Sequence, residues 1–162
     1  MQRASERAVL LLCLVTTAAF GIRPSVDPKP DPRWSAGDVV GIVLKALQHN
    51  DQPTPDHGIT TTFAFASPEN RRMTGPLDRF ILLVKNPVYR SMLDYRSARR
   101  DSIVVDGVLA RQRVTLIGAN GERAVYIFML SKQSTGDYKG CWMTDGVVRE
   151  TAPVLPPGET ET

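Results

Sequence analysis

The sequence predicts an α+β domain in which a helical first half packs on a four-stranded antiparallel sheet built from the second half. Three observations carry that expectation. Apolar residues recur at helical spacing between Ser35 and Asn86. From Val108 to Leu130 they alternate with period two on either side of Asn120-Gly121, a pair that tolerates the positive φ a tight hairpin demands. Asp106-Gly107 and Gly136-Asp137 mark two further turns, so consecutive strands form a meander.

The chain has 162 residues, 42% of them apolar and 23% charged, which suits one globular core once the two ends are set aside. Twenty Lys and Arg against seventeen Asp and Glu leave a formal charge of +3, a mild excess diluted by acids rather than a nucleic-acid stripe. The two cysteines are Cys13, inside an N-terminal apolar run, and Cys141. A processed chain therefore keeps one thiol and can form neither an internal disulfide nor a cysteine metal cluster, and Cys141 reads as a small buried hydrophobe. No phosphate-binding glycine loop, nucleophile elbow or zinc pattern is present, so no cofactor or metal is expected, and no membrane span in the mature chain.

Two arginines in the first seven residues, the apolar run Ala8 to Phe20 and the small residues before Gly21 have the order of a secretory signal cleaved after Ala19. An aromatic residue, Phe20, then heads a Pro-containing stretch to Trp34, which is similar to the bipartite presequences of algae with complex plastids. Asp27 and Asp31 run against a transit segment, and plain secretion stays open as the alternative address. Four prolines make this stretch an extended linker. The expected organisation is a signal over 1–19, a transit-like linker over 20–34, the folded domain over 35–150 and a Pro-rich, acidic, disordered tail over 151–162.

Ser35-Ala-Gly-Asp38 has capping-box spacing and opens an amphipathic helix to about His49. Asn50 to Gly58 is a loop dense in turn formers. His49, His57, Asp51 and Asp56 flank it without a metal-binding spacing. Ile59 to Ala66 has strand-like composition, but Ser67-Pro68 follows at once, as at the start of a further helical turn. Gly75-Pro76 begins a helix with Leu77, Phe80, Ile81 and Val84 on one face, ended by Asn86-Pro87. Tyr95 to Val105 reads as the first strand, with a polar middle suited to a sheet edge, and Tyr138 to Val148 as the fourth, where Gly140 marks a bend or bulge.

A two-residue turn at Asn120-Gly121 sets Leu116 opposite Val125, Val114 opposite Ile127 and Gln112 opposite Met129 on an apolar face. Thr115 with Tyr126, Arg113 with Phe128 and Arg111 with Leu130 then share the other face. Arginines beside aromatic rings there suit an interface with an acidic partner or a second copy of the chain, worth about 0.5–1 kcal/mol per exposed stacking contact.

The run Phe63-Ala-Phe-Ala-Ser-Pro68, then Arg79-Phe80, Leu83-Val84, Tyr89, Gln112-x-Val114, Gly121, Tyr126 and a closing Gly-x-x-x-Gly-x-Trp segment resemble a family of uncharacterised domains found in bacteria and in photosynthetic lineages. The resemblance spans about Asp38 to Val148. It implies a fold similar to nuclear transport factor 2, a cone in which N-terminal helices pack into the concave side of a curved antiparallel sheet. It places Ile59 to Ala66 in a helix, and it implies no activity.

In such a cone a pocket lies between the helices and the concave sheet face. Gln112 is the one polar side chain on the apolar hairpin face, where it either orients a ligand or bonds the backbone and fixes packing. Tyr89, Tyr95 and Trp142 are further pocket candidates. Asp145 as general base with Tyr89 as proton donor is the catalytic alternative. The leading expectation is a noncatalytic plastid module that binds a small apolar ligand or a protein partner. The alternatives are a small cone-fold enzyme of the isomerase, dehydratase or hydrolase type, and a secreted structural domain.

Overall fold

Ser35 starts the first helix as its spacing to Asp38 predicts: its Oγ accepts from the Asp38 N–H at 3.1 Å while the Asp38 carboxylate accepts from the Ser35 N–H at 2.9 Å. The computed structural model describes residues 27–151; the expected signal segment, part of the transit-like stretch and all but the first residue of the tail lie outside the described residues. Helix α1 (Ala36–Gln48) buries Val39, Val40, Val43, Leu44 and Leu47, the face its periodicity sets out.

Asn50 closes the turn that follows. Its Oδ1 accepts from the Ile59 N–H at 3.1 Å, and its amide nitrogen donates to Asp51 Oδ1 at 2.7 Å. This starts α2 (His57–Ala64), which settles the Ile59 to Ala66 run as helix up to Ala64. The residues just beyond keep some strand character. The Thr144 N–H donates to the Phe65 carbonyl at 2.8 Å and the Ser67 N–H donates to the Thr144 carbonyl at 2.9 Å, a parallel bridge that fastens the helical layer to the sheet. Ser67 caps α3 (Pro68–Thr74), and α4 (Leu77–Val84) turns Phe80 and Val84 inward.

The sheet is antiparallel and curved, and it has five strands where four were expected. The first expected strand is divided into β1 (Ser97–Arg100) and β2 (Val104–Asp106), both paired to β3 (Leu109–Ile117). Arg100 lies opposite Val114 and Val104 opposite Arg111, so three residues of the edge face two of β3. The extra residue breaks the ladder as a bulge does. The last strand also starts later than expected. Gly136–Tyr138 is a 3₁₀ turn, Gly140 adopts φ +83° against Pro32, and β5 runs Trp142–Glu150.

The hairpin register differs from the expected one by a single residue. The Gly118 N–H donates to the Glu122 carbonyl at 2.8 Å and the Gly121 N–H to the Gly118 carbonyl at 2.9 Å, which leaves three residues, Ala119 to Gly121, in the loop. Gly121 alone takes a positive φ, +86°, and the Asn120 side chain accepts from the Glu122 N–H at 3.0 Å. This is a turn closed by a left-handed glycine, the other common hairpin solution. Leu116 therefore faces Ala124, Val114 faces Tyr126 and Gln112 faces Phe128 across β3 and β4 (Arg123–Lys132). A one-residue slip exchanges the two faces of a strand. Tyr126 and Phe128, expected outside, are each 0% exposed in the core, and Val125, Ile127 and Met129 take the outer face.

Where α1 meets α2, a Cβ on Gly58 would stand 2.1 Å from the Ala46 carbonyl oxygen. Gly58→Ala is expected to lower stability by about 3 kcal/mol, because rigid backbone must move. Gly107→Ala, at φ +57° with open space around it, should cost only about 1–2 kcal/mol of backbone strain. Urea denaturation midpoints compare the two, and equal losses would remove the helix crossing as the cause.

Candidate functional site

Between the helical layer and β5 lies a cavity of about 220 Å³. Its floor is Val43 and Leu47 of α1, and one wall is Phe80, Leu83 and Val84 of α4. The opposite wall is the β5 backbone and side chains from Thr144 to Val147, with Tyr89 and Met92 between the two. Met73 of α3 lines it too although it is 72% exposed, so α3 stands at the mouth. No Lys, Arg or His contributes to the lining, and Asp145 is its one acidic residue, with its carboxylate held by Ser131 on the outer face of the sheet.

The helical wall is held by Arg71. Its guanidinium donates to the Phe63 carbonyl at 3.1 Å, the Ala64 carbonyl at 2.6 Å and the Tyr138 hydroxyl at 3.1 Å, and it lies over the Phe63 and Tyr138 rings. It thus occupies the Ala64 carbonyl at the C-terminal end of α2, shares the Phe63 carbonyl with the Ala66 N–H, and ties α3 to the turn before β5.

Three threonine hydroxyls belong to the cavity wall. Thr62 donates to the Gly58 carbonyl at 2.8 Å and Thr74 to the Asn70 carbonyl at 2.8 Å. Thr144 is different: its hydroxyl is buried with no hydrogen-bond partner and the residue is 4% exposed. Its backbone is fully used, since the carbonyl also accepts from Asn70 Nδ2 at 3.0 Å. An unsatisfied buried hydroxyl costs about 1–3 kcal/mol. A second such hydroxyl, Thr115, sits in β3 on the other face of the sheet, away from the cavity.

Of the residues the sequence points to, the structure brings Tyr89 and Asp145 to this cavity. Tyr89 donates its hydroxyl to the Val147 carbonyl at 3.1 Å and stacks on Tyr126 with ring centroids 6.4 Å apart. Asp145 is the extra residue of a β5 bulge: Met129 lies opposite Gly146 and Leu130 opposite Thr144, with Asp145 between. Its Oδ1 accepts from the Ser131 hydroxyl at 2.8 Å. The carboxylate and the phenol therefore each hold a protein group, and not each other.

Gln112, Tyr95 and Trp142 do not line the cavity. Gln112 repairs the break between β1 and β2. Its amide nitrogen donates to the Asp101 carbonyl at 2.7 Å, and its oxygen accepts from Arg100 Nε at 3.3 Å. Arg100 in turn donates to the Gly37 carbonyl at 2.7 Å, crossing α1 where Gly37 and Gly41 leave room. Tyr95 is buried at 6% exposure and Trp142 packs half-buried on the core. Burial pushes the phenols of Tyr95 and Tyr126 above their ordinary range and raises the Cys141 thiol as well. A thiol raised in this way is a poor nucleophile at neutral pH.

The outer sheet face keeps Arg111 and Arg113 but not their aromatic neighbours. Arg113 bonds Glu150 at 2.7 Å, and Arg111 is exposed opposite Met129. Stacking on Tyr126 or Phe128 is ruled out by the register. Around the α1–α2 turn, Asp51 and Asp56 accept from Asn50, and His57 meets Asp27 at 2.9 Å. Among the described residues no three His, Cys, Asp or Glu side chains converge as a metal site would need, and no helix is long and apolar enough to cross a membrane.

No family model, curated protein or solved structure matches this chain.

Among the lining residues that sequence reasoning did not single out, Thr144 is the one with an unpartnered buried hydroxyl. Trp142 and Thr144 share a face by alternation, and Thr144 is the polar member, as Gln112 is on β3. The same reasoning that picked out Gln112 would have found it. Gln112→Leu should lower stability by about 1–3 kcal/mol by leaving the Asp101 carbonyl and the Arg100 Nε–H unpartnered, with no change in small-molecule binding to the cavity. A thermal melt and a ligand titration of the same variant check both halves, and altered binding would return Gln112 to the site.

Proposed function

We propose that this domain is a noncatalytic module that holds a small apolar ligand in the cavity between its helices and β5, and that it works in a plastid. The observation that carries the ligand reading is the cavity itself, walled by Val43, Leu47, Phe80, Val84 and Met92. Apolar surface of this kind takes an apolar guest, with few polar groups to orient it. A cone like that of nuclear transport factor 2 is part of the proposal, and helices on one face of a curved sheet support it.

One observation favours a second reading: Asp145 and Tyr89 line the same cavity, as an enzyme using them would require. Against it stand their hydrogen bonds. A general base must reach the proton it takes, and Asp145 is directed to Ser131 while the Tyr89 proton is given to a carbonyl.

Propylbenzene at millimolar concentration is expected to raise the melting temperature by mass action and to shift NMR signals of Val43, Leu47 and Val84. Val84→Phe, which puts a ring into the cavity, should abolish both effects. A wild-type protein that shows neither would overturn the ligand reading. The address rests on the first 34 residues, and a fluorescent protein fused behind Met1 to Trp34 is expected in the plastid of an alga with complex plastids. Accumulation outside the cell would select secretion instead.

A further inference from the structure

We propose that the outer face of the sheet is the contact surface of a homodimer, in which two copies stack face to face about a two-fold axis that runs along β4. This surface lies on the side of the sheet away from the helices and the cavity, so the proposal stands independently of the ligand reading.

The face is apolar where an uncovered face would be polar. Alternation puts Val104, Leu109, Ile127, Met129 and Val148 on it, at adjoining positions of β2 to β5. Val104, Leu109, Met129 and Val148 are 39–58% exposed, and Ile127 beside them is half-buried. Apolar side chains scattered singly over a surface mean little, but a contiguous group on one sheet face marks an interaction site. β3, β4 and β5 are nine or ten residues long. With the edge strands they cover roughly 20 Å by 30 Å, about 600 Å², which is the lower end of what one partner contributes to a specific interface.

Charge selects a second copy of the chain as the occupant. Arg111 lies beside Met129 on β3, exposed and in no ion pair among the described residues. Asp145 lies on the other side of Met129, in the β5 bulge next to Gly146, with Oδ1 on the Ser131 hydroxyl and Oδ2 left for a second donor. The surface thus carries one charge of each sign, one strand to either side of its apolar centre. An isologous interface must be complementary to itself. Rotation about an axis along β4 carries β3 of each copy over β5 of the other with the strands aligned, the arrangement that stacked sheets favour. Ile127 and Met129 then meet their own counterparts at the centre, and Arg111 of each copy meets Asp145 of the other. A purely acidic or purely basic partner would satisfy one of the two charges and set the other against its like.

Sedimentation velocity on the full chain, from micromolar to submillimolar concentration, tests the proposal. The wild type is expected to pass from monomer to dimer over that range. Arg111→Asp and Asp145→Arg each set like charges against one another at both contacts, and each is expected to weaken the dimer roughly tenfold or more. An equimolar mixture of the two variants is expected to recover wild-type association, because both contacts of the mixed dimer again pair an acid with an arginine. Met129→Lys, at the centre of the face, should leave a monomer, and circular dichroism checks that each variant folds. A wild type that stays monomeric overturns the proposal, whether its face is bare, covered by a terminal segment of its own chain or kept for another protein. Variants that dimerise as the wild type does also overturn it, and so does a mixture that gains nothing over its components. If Asp145→Arg, at the bulge, does not fold, Arg111→Asp and Met129→Lys still decide, since wild-type association in both would exclude this face.

Discussion

Because side chains alternate across a strand, the length of the loop between β3 and β4 decides which half of β4 is buried. Three residues, closed by Gly121 in the left-handed region, put Tyr126, Phe128 and Leu130 under the helices. Two would have put Val125, Ile127 and Met129 there. The difference is large, since two aromatic rings fill a layer that smaller side chains would leave open. The Tyr126 hydroxyl then reaches the Val88 carbonyl at 2.8 Å, and Tyr89 stacks on its ring and reaches back to Val147. The segment between α4 and β1 is thereby bound to both β4 and β5.

A second constraint acts at the far side of the helical layer, where the chain leaves α2 and must satisfy its backbone before α3 begins. It does so on β5, through the bridge at Ala66 and Thr144, with Arg71 supplying the remaining donors to Phe63 and Ala64. Helices fastened at this bridge and around Tyr89 leave room between the two attachments, and α3 has too few inward side chains to fill it; among its residues only Asn70 is buried. The cavity is in this sense a product of where the helices are tied down. Thr144 sits at the tie itself, its main chain spent on the bridge and its side chain left over.

Much of this was legible in the residues. Capping at Ser35, the α4 face of Phe80 and Val84, and antiparallel strands in a meander follow from local spacing, and local spacing is what sequence patterns record. The register was not legible, because Asn-Gly serves both two- and three-residue loops, and the choice between them depends on which side chains the helices accept. Composition supports either answer: both halves of β4 are apolar, so alternation could not say which half is inside. The break between β1 and β2 was hidden for a related reason. It is repaired by a side chain, Gln112, from the neighbouring strand, and a long-range hydrogen bond leaves no periodic trace. That is also why Gln112 looked like a site residue. A lone polar group on an apolar face signals an unmet need, and the sequence shows the group without showing the need.

The same ambiguity, resolved in the opposite direction, separates Thr144 from Gln112. Both are polar residues buried on the inner side of the sheet, and for both the question is whether the protein itself supplies the partner. For Gln112 it does so twice, through Asp101 and Arg100. For Thr144 it does not: its hydroxyl is enclosed by protein and has no partner. An empty apolar cavity forfeits packing, and an unpartnered hydroxyl adds its own desolvation cost. The fold bears both losses, and they are separate: one is space between the attachments of the helices, the other a hydroxyl enclosed at the bridge itself.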